Sequence, residues 1–303
     1  MATLTIQIKE DTIMPLTWLK CPDTQLITVD DCLAKCRMGR RCLTLPTLKE
    51  ITSEREWKGE PSTTQLINGT MMEFLKLTQP YTIDPDDRAF ALLGTRHHQK
   101  LEAQSGPLAE LALSGDRDII DLLECEEGAW TLTDYKTWGS YRVAKALGMV
   151  QVGKRPDPNG EVYKTSGKWG KAGDVKTVPV FQPSGPKDMK DTELQLNHYR
   201  VMLKDKFNIL IDRMQIQITV RDGGLAVATG RGITRNTYML DVDKLDDGAV
   251  TEFFSNKKEQ LLRALRLNEW TEPCTDWECW DGTRCKGYCD VAVVCPKGLR
   301  LNG

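Results

Sequence analysis

No stretch of the 303-residue chain approaches the roughly 20 consecutive apolar residues that a membrane-spanning helix needs. Its first residues, MATLTIQIKEDTIM, have neither the basic nor the apolar segment of a secretory leader. Both absences predict a cytoplasmic protein with no membrane partner. A large net charge is also missing. The sum is −2, so whole-molecule attraction to nucleic acid is excluded and any such binding must use a local basic surface. There is no internal repeat and no low-complexity tract. What remains is an ordinary balance for a folded protein, 40% hydrophobic and 28% charged, with length enough for a sizeable core.

The ten cysteines are unevenly placed. Cys21, Cys32, Cys36 and Cys42 lie near the start. Cys274, Cys279, Cys285, Cys289 and Cys295 lie near the end. Only Cys125 is central, and it reads as a small buried hydrophobe. Reducing compartments disfavour disulfides, so clustered thiols there point to metal ligands. This distribution predicts a single domain over 1–303 in which 21–42 and 274–295 come together as a cysteine subdomain around a metal.

Residues 26–42 read as a short helix capped by Thr28, Asp30 or Asp31. Residues 43–70 are polar and turn-rich. Helical spacing is predicted over 71–77 and 86–104, then strands over 111–120 and 129–136, joined by a Glu126-Glu127-Gly128 turn. Residues 137–191 carry ten Lys or Arg against five Asp or Glu, with many Gly and Pro. They read as a basic insertion, with Trp138 and Trp169 as candidates for stacking on bases. A helix over 191–206, strands over 214–221 and 237–242, and an amphipathic helix over 249–268 follow. The order points to an α/β class.

The densest chemistry lies at Asp134-Tyr135-Lys136. Alternate strand residues share a face, so Asp134 and Lys136 project together. A carboxylate so placed can hold a divalent cation, and an ammonium can orient or deprotonate a water or neutralise a phosphate. In a hairpin, Asp118 would sit beside Asp134 across the ladder. His98 offers a nitrogen ligand, more acceptable to Mn²⁺ than to Mg²⁺. His97 is the rival ligand by register, although it falls on the apolar stripe. Gln195 and Tyr199, four apart on a helix, share a face and can hydrogen-bond a phosphate or the Lys.

Gly94-Thr95-Arg96-His97-His98, Gly115-x-x-Asp118, Asp134-Tyr135-Lys136-Thr137 and Gln195-x-x-x-Tyr199 together resemble the ordered motifs of RecB-like PD-(D/E)xK nucleases. That group includes CRISPR-associated RecB-like exonucleases, the AddB nuclease domain and phage exonucleases. The resemblance covers residues 94–199. It implies a restriction-endonuclease-like core, a mixed sheet flanked by helices. It also implies a Mg²⁺- or Mn²⁺-dependent DNA exonuclease, with endonuclease activity as an extension, acting on single-stranded or end-containing DNA. His98, Asp118, Asp134 and the Tyr135 carbonyl would bind the metal, with Asp118, Asp134 and Lys136 catalytic. Gln195 and Tyr199 would hold the DNA. The setting would be recombination, repair, phage DNA processing or CRISPR adaptation in a bacterial, archaeal or phage-infected cell. A homo-oligomer or partner proteins of those pathways would accompany it.

Cys285-x₃-Cys289-x₅-Cys295 resembles the C-terminal ligands of the iron–sulfur subset of this group, usually C-x₂-C-x₅-C. That subset takes its fourth ligand from near the N-terminus. The resemblance therefore implies a [4Fe–4S] cluster on Cys36, Cys285, Cys289 and Cys295, with Cys32 or Cys42 as substitutes for Cys36. Zn²⁺ is the alternative occupant. Two other functions stay open at this stage, a non-catalytic metal-stapled DNA-binding protein and an iron–sulfur redox protein.

Overall fold

The computed structural model describes residues 16–303 other than 55, 103–108, 115–116, 158 and 169. The side chains of 91, 95, 96, 98, 99, 102, 109 and 110 lie outside that description too. The protein is α/β, with mixed sheets and flanking helices. Where one domain was expected, the chain divides into two compact units, Met1–Arg96 with Gly248–Gly303, and His97–Asp247.

The first unit begins with β1 (Leu16–Lys20), β2 (Leu26–Thr28), α1 (Val29–Ala34), α2 (Leu45–Thr52), α3 (Thr63–Ile67), α4 (Thr70–Thr78), β3 (Tyr81–Ile83) and α5 (Pro85–Ala89). Helix α6 (Ala91–Glu102) crosses into the second unit. The strands form a small sheet, β2-β1-β3. Thr28 caps α1 by accepting from Asp31 N–H, as the sequence predicts. The stretch read as turn-rich, 43–70, holds two helices. Thr44 caps α2, and Ser62 with Gln65 forms a reciprocal capping box on α3. The single helix expected over 86–104 is two, because the chain breaks at Phe90.

The second unit contains β4 (Ala109–Ser114), β5 (Asp118–Glu126), β6 (Ala129–Trp138), α7 (Ser140–Leu147), β7 (Met149–Pro156), β8 (Thr177–Pro183), α8 (Lys190–Phe207), β9 (Ile211–Val220), α9 (Ala226–Thr229) and β10 (Thr237–Asp241). Its main sheet runs β10-β9-β6-β5-β4. Strands β4, β5 and β6 form an antiparallel meander, β9 runs parallel to β6, and β10 runs antiparallel to β9. The strand expected over 111–120 is two strands, β4 and β5, with Ser114 facing Asp118 across the turn. The β5–β6 turn is the predicted one. Glu127 (φ 49°) and Gly128 (φ 89°) are both left-handed, as a two-residue hairpin that follows strand twist requires.

Strand β6 lies at the sheet centre and buries Leu132, Thr133, Asp134 and Tyr135 in succession, on both faces. Strand β9 alternates, burying Met214, Ile216, Ile218 and Val220. Helix α8 packs Leu196, Tyr199 and Leu203 into the same core. Asn197, fully buried, donates to the Glu193 and Asp243 carbonyls and accepts from Leu245 N–H, which fixes α8 against the segment after β10. The basic insertion expected over 137–191 is only in part an excursion. Its start completes β6 and forms α7, which buries Val143 and Ala146 in the core. The largely exposed part is the ribbon of β7 paired with β8.

The chain then returns to the first unit along α10 (Asp247–Leu267), followed by α11 (Thr283–Gly287) and α12 (Pro296–Asn302). Leu261, Ala264, Val291 and Cys295 share one core with Leu16, Leu48, Phe74 and Tyr81. Early and late segments of the chain thus share one core in this unit. No described helix is long and apolar enough to cross a membrane.

Candidate functional site

In the second unit the central strand delivers Asp134 and Lys136 to one face. Lys136 Nζ lies 2.6 Å from Asp134 Oδ2 and donates to Gln195 Oε1 at 3.1 Å. Gln195 Nε2 in turn donates to Tyr199 Oη at 3.2 Å. The chain Asp134–Lys136–Gln195–Tyr199 therefore links β6 to α8. Asp134 and Tyr199 are 5% and 4% exposed.

Two further carboxylates belong to this cluster. Asp118, 4% exposed, is hydrogen-bonded by the Ser114 hydroxyl. Asp121, which the sequence reading passed over, accepts from Tyr135 N–H at 2.7 Å. The ladder pairs Leu122 with Thr133, and its extension sets Asp121, not Asp118, across from Asp134. Asp118 is one strand turn further along, so the expected side-by-side pair is corrected. All three carboxylates still act on one group. Burial raises the Tyr199 pKa well above its usual value; Gln195 opposes this, and Asp118, Asp134 and Asp121 add to it.

Lys136 is held charged. Burial pulls its pKa down, but Asp134, then Asp121 and Asp191, outweigh burial and leave it above the usual lysine value. A lysine so held can serve as a cation and hydrogen-bond donor. His198, on α8, is pushed down to about 4 by burial, with Asp118 opposing and Lys206 assisting.

His97 lies edge-on to the Tyr135 ring, 6.3 Å between centroids, with Nε2 3.4 Å from Thr219 Oγ1. The side chain of His98, the preferred ligand, lies outside the described residues, as do Gly115 and Trp169. Arg142 stacks on Trp138, 5.0 Å from guanidinium carbon to ring centroid. Cys125, expected buried, is exposed on β5.

In the first unit Cys274, Cys279, Cys285, Cys289 and Cys295 line one small cavity, together with Met72, Arg284 and Lys297. Cys36 is not among its lining residues; its Sγ instead donates to the Arg40 carbonyl at 3.2 Å. Cys274 packs so closely on α4 that a Cβ at Gly69 would lie 2.2 Å from its Sγ. Burial lifts the Cys274 thiol to about 11, while Met72 N–H pulls it down. Burial also raises Cys285 and Cys289. Lys297 donates to the Cys274 carbonyl at 2.9 Å and to Asp276 Oδ1 at 3.1 Å. Arg284 Nε is buried with no hydrogen-bond partner among the described residues.

No described set of three or more His, Cys, Asp or Glu side chains is drawn together at metal-ligand geometry. The carboxylates instead engage Ser114, Tyr135 N–H and Lys136. Their oxygens nevertheless form a donor set suited to a hard divalent cation. The cysteine cavity suits a thiolate-bound group, with two cations in its wall and an unfilled donor of the kind that bonds cluster sulfur. No family model, curated protein or solved structure matches the chain, so the case for its chemistry rests on this geometry and on its own motifs.

Proposed function

We propose that the chain is a divalent-metal-dependent DNA nuclease of the RecB-like PD-(D/E)xK kind, an exonuclease acting on single-stranded or end-containing DNA. The observation that carries this reading is the contact chain from Asp134 through Lys136 and Gln195 to Tyr199, with Asp118 and Asp121 acting on the same tyrosine. The order α6-β4-β5-β6-α8-β9, with β6 and β9 parallel at the sheet centre, supports a restriction-endonuclease-like core.

Asp118 and Asp134 would hold Mg²⁺ or Mn²⁺, with His98 and the Tyr135 carbonyl completing the set that the motif resemblance implies. A bound cation supplies charge neutralisation on the scissile phosphate and lowers the pKa of water. Lys136 holds its ammonium against the phosphate oxygen or the attacking water. Gln195 fixes the direction of that ammonium, and Tyr199, kept protonated, donates towards the strand. Asp121 locks the Tyr135 backbone, and with it the angle at which Asp134 and Lys136 leave the strand. The exposed β7–β8 ribbon gives the sugar–phosphate backbone a basic surface that whole-chain charge does not.

For the cysteine cavity we propose a [4Fe–4S] cluster on four of the five C-terminal thiols, with Zn²⁺ as the competing occupant. The fourth ligand then comes from Cys274 or Cys279, where the motif resemblance pointed to Cys36. Anaerobic purification with iron, sulfide and zinc analysis separates the two occupants.

The nuclease reading is tested with 5′- and 3′-labelled oligonucleotides in Mg²⁺ and Mn²⁺. Asp134→Asn is expected to lower cleavage by at least about a thousandfold while leaving salt-sensitive DNA binding in place. Undiminished cleavage by that variant, or a wild type that binds DNA without cutting it, overturns the assignment.

A further inference from the structure

Strand β6 carries more than Asp134 and Lys136 on their shared face. Its pairing with β9 runs unbroken from Thr131 to Trp138, so Asp134, Lys136 and Trp138 leave the strand on the same side. Trp138 stands about 6.6 Å beyond Lys136 along the strand, at roughly 3.3 Å per residue. The Arg142 guanidinium lies on its indole, 5.0 Å from the ring centroid. Gly139 caps α7, which follows at once and gives Val143 and Ala146 to the core. Tyr141 and Lys145, four apart, share another side of that helix. Tyr141 is 60% exposed. Lys145 Nζ lies 5.4 Å from the centroid of its ring, and the Arg231 guanidinium carbon lies 5.7 Å from it.

We propose that Tyr141, with Arg231 and Lys145 against its ring, is a base-stacking site for single-stranded DNA, next to the Asp134–Lys136 cluster and on the path of the same strand. It rests on the reading of DNA as substrate given above, and it narrows that substrate to an unpaired strand.

Three observations carry this. First, the ring is on offer. Its helix fills the core with other residues and leaves the tyrosine outside. Every base has a face that stacks on an aromatic ring or on an arginine plane, whatever the sequence. Second, the two cations are placed but loosely paired. Asp222 spends its oxygens on the Ser140 N–H and hydroxyl, each at 2.6 Å, and meets Arg231 only at 3.8 Å. Asp188 is shared, 3.5 Å from both Lys145 and Arg142, and Arg142 also pairs with Asp191. Exposed pairs at such distances hold weakly, so a phosphate can replace the carboxylates. Arg231 keeps its position meanwhile, because its Nη1 donates to the Ser140 hydroxyl at 2.8 Å. Third, the place is right. The ammonium of Lys136, the Trp138–Arg142 stack and the Tyr141 ring follow one another on a strand and the helix directly after it. A nucleic acid backbone with cations at its phosphates and rings at its bases needs that alternation. A duplex keeps its base faces in its own stack, so the ring selects strands whose bases are free.

The test is binding of the full-length protein to a fluorescent thymidine strand in Ca²⁺, followed by anisotropy, with one abasic site moved along the strand. In the wild type, loss of the base at one or two positions should lower affinity about tenfold. Tyr141→Ala should bind the intact strand about tenfold more weakly and respond to no abasic position. Tyr141→Phe, which keeps the ring, should behave as the wild type. Lys145→Ala should weaken every strand alike and lower the salt slope by about one. A wild type indifferent to all abasic positions overturns the proposal. So does a Tyr141→Ala protein that keeps the wild-type profile, or one that loses duplex and single-strand affinity equally. Should Tyr141→Ala not fold, a 5-iodouracil strand photo-crosslinked to the wild type decides the matter. The adduct should map to Tyr141, and adducts confined to other residues sink the idea. Cleavage of the same strands in Mn²⁺ keeps the two readings apart. Base-dependent binding without cutting removes the nuclease and leaves the stacking site; cutting without base dependence does the reverse.

Discussion

The two units solve the same problem with different means. The His97–Asp247 unit places its chemistry through a sheet whose central strands, β6 and β9, are each ten residues long and paired along most of their length. Alternation along β6 puts Asp134 and Lys136 on one face. The other unit has strands of three to five residues and helices that are mostly short, joined by long irregular stretches. Nine of the ten cysteines fall in it. A long sheet holds a polar cluster in place by hydrogen bonding and burial. The other unit has little regular structure, and the metal proposed for its C-terminal thiols would do that work there.

Stripping the metal proposed for the C-terminal thiols tests that contrast most severely. With Cys285→Ser and Cys289→Ser, or after chelation, amide hydrogens of β1, α2 and α4 should lose most of their protection, because metal binding of this type contributes on the order of 10 kcal/mol to small folds. Those of β6 and β9 should keep theirs. Equal loss in both units, read by hydrogen-exchange mass spectrometry, would erase the distinction.

The next effect belongs to the sheet. Lys136→Met should reduce kcat by about a thousandfold, on the order of 4 kcal/mol, with hydrogen exchange in β6 little changed. Lys136→Arg should recover part of the loss, since the positive charge is what the position supplies. If Lys136→Met leaves kcat intact, the ammonium has no role in the reaction.

Acid should then separate the units. His198 is held neutral, its pKa near 4 when folded against about 6.5 when unfolded. Between those values the unfolded chain takes up a proton that the folded chain refuses. The His97–Asp247 unit therefore loses stability as the pH falls from 6.5 towards 4, by on the order of 3 kcal/mol. In metal-free protein, His198→Asn should flatten that part of the stability profile, and an unchanged slope would show that the imidazole is not its source.

The smallest effect runs the opposite way with pH, in the other unit. Glu73 is buried on α4, its pKa raised by burial against the pull of Lys76, Asn68 and Arg284. A carboxyl so raised favours the folded state when protonated. That contribution is full below the unfolded value and declines as pH rises through the folded one. Glu73→Gln, which keeps an acceptor for Asn68, should gain less than about 1 kcal/mol at pH 8 and nothing once the pH is below the unfolded carboxyl value. A loss at pH 8, measured by urea unfolding, would mean that the charge is wanted.

How much of this was legible depended on whether a signal was local. Asp134 and Lys136 were readable because strand alternation fixes them without knowledge of any partner. Gln195 and Tyr199 were readable because helical spacing does the same. Asp121 was missed because its importance comes from the ladder opposite, where it meets Tyr135. The β4–β5 break was missed because apolar residues continue on both sides of Ser114-Gly115-Asp116, whose turn chemistry was outweighed by the run. Helices α2 and α3 were hidden by polar composition, although the Ser62-Thr63-Thr64-Gln65 box marks the second in the sequence itself. The partition of the thiols was the least readable part. Loops carry most of them, and loop spacing does not say which sulfur meets which.

The chain leaves the first unit at Arg96 and comes back at Gly248. This has a consequence for synthesis. The sheet-bearing unit is continuous in sequence and can fold as soon as it emerges. The other has most of its core, from Leu16 to Ile83, made early, and must wait for Leu261, Ala264, Val291 and Cys295. Through that interval Leu48, Phe74 and Tyr81 lack their final cover, and the nascent protein is at its most exposed to aggregation and to chaperones.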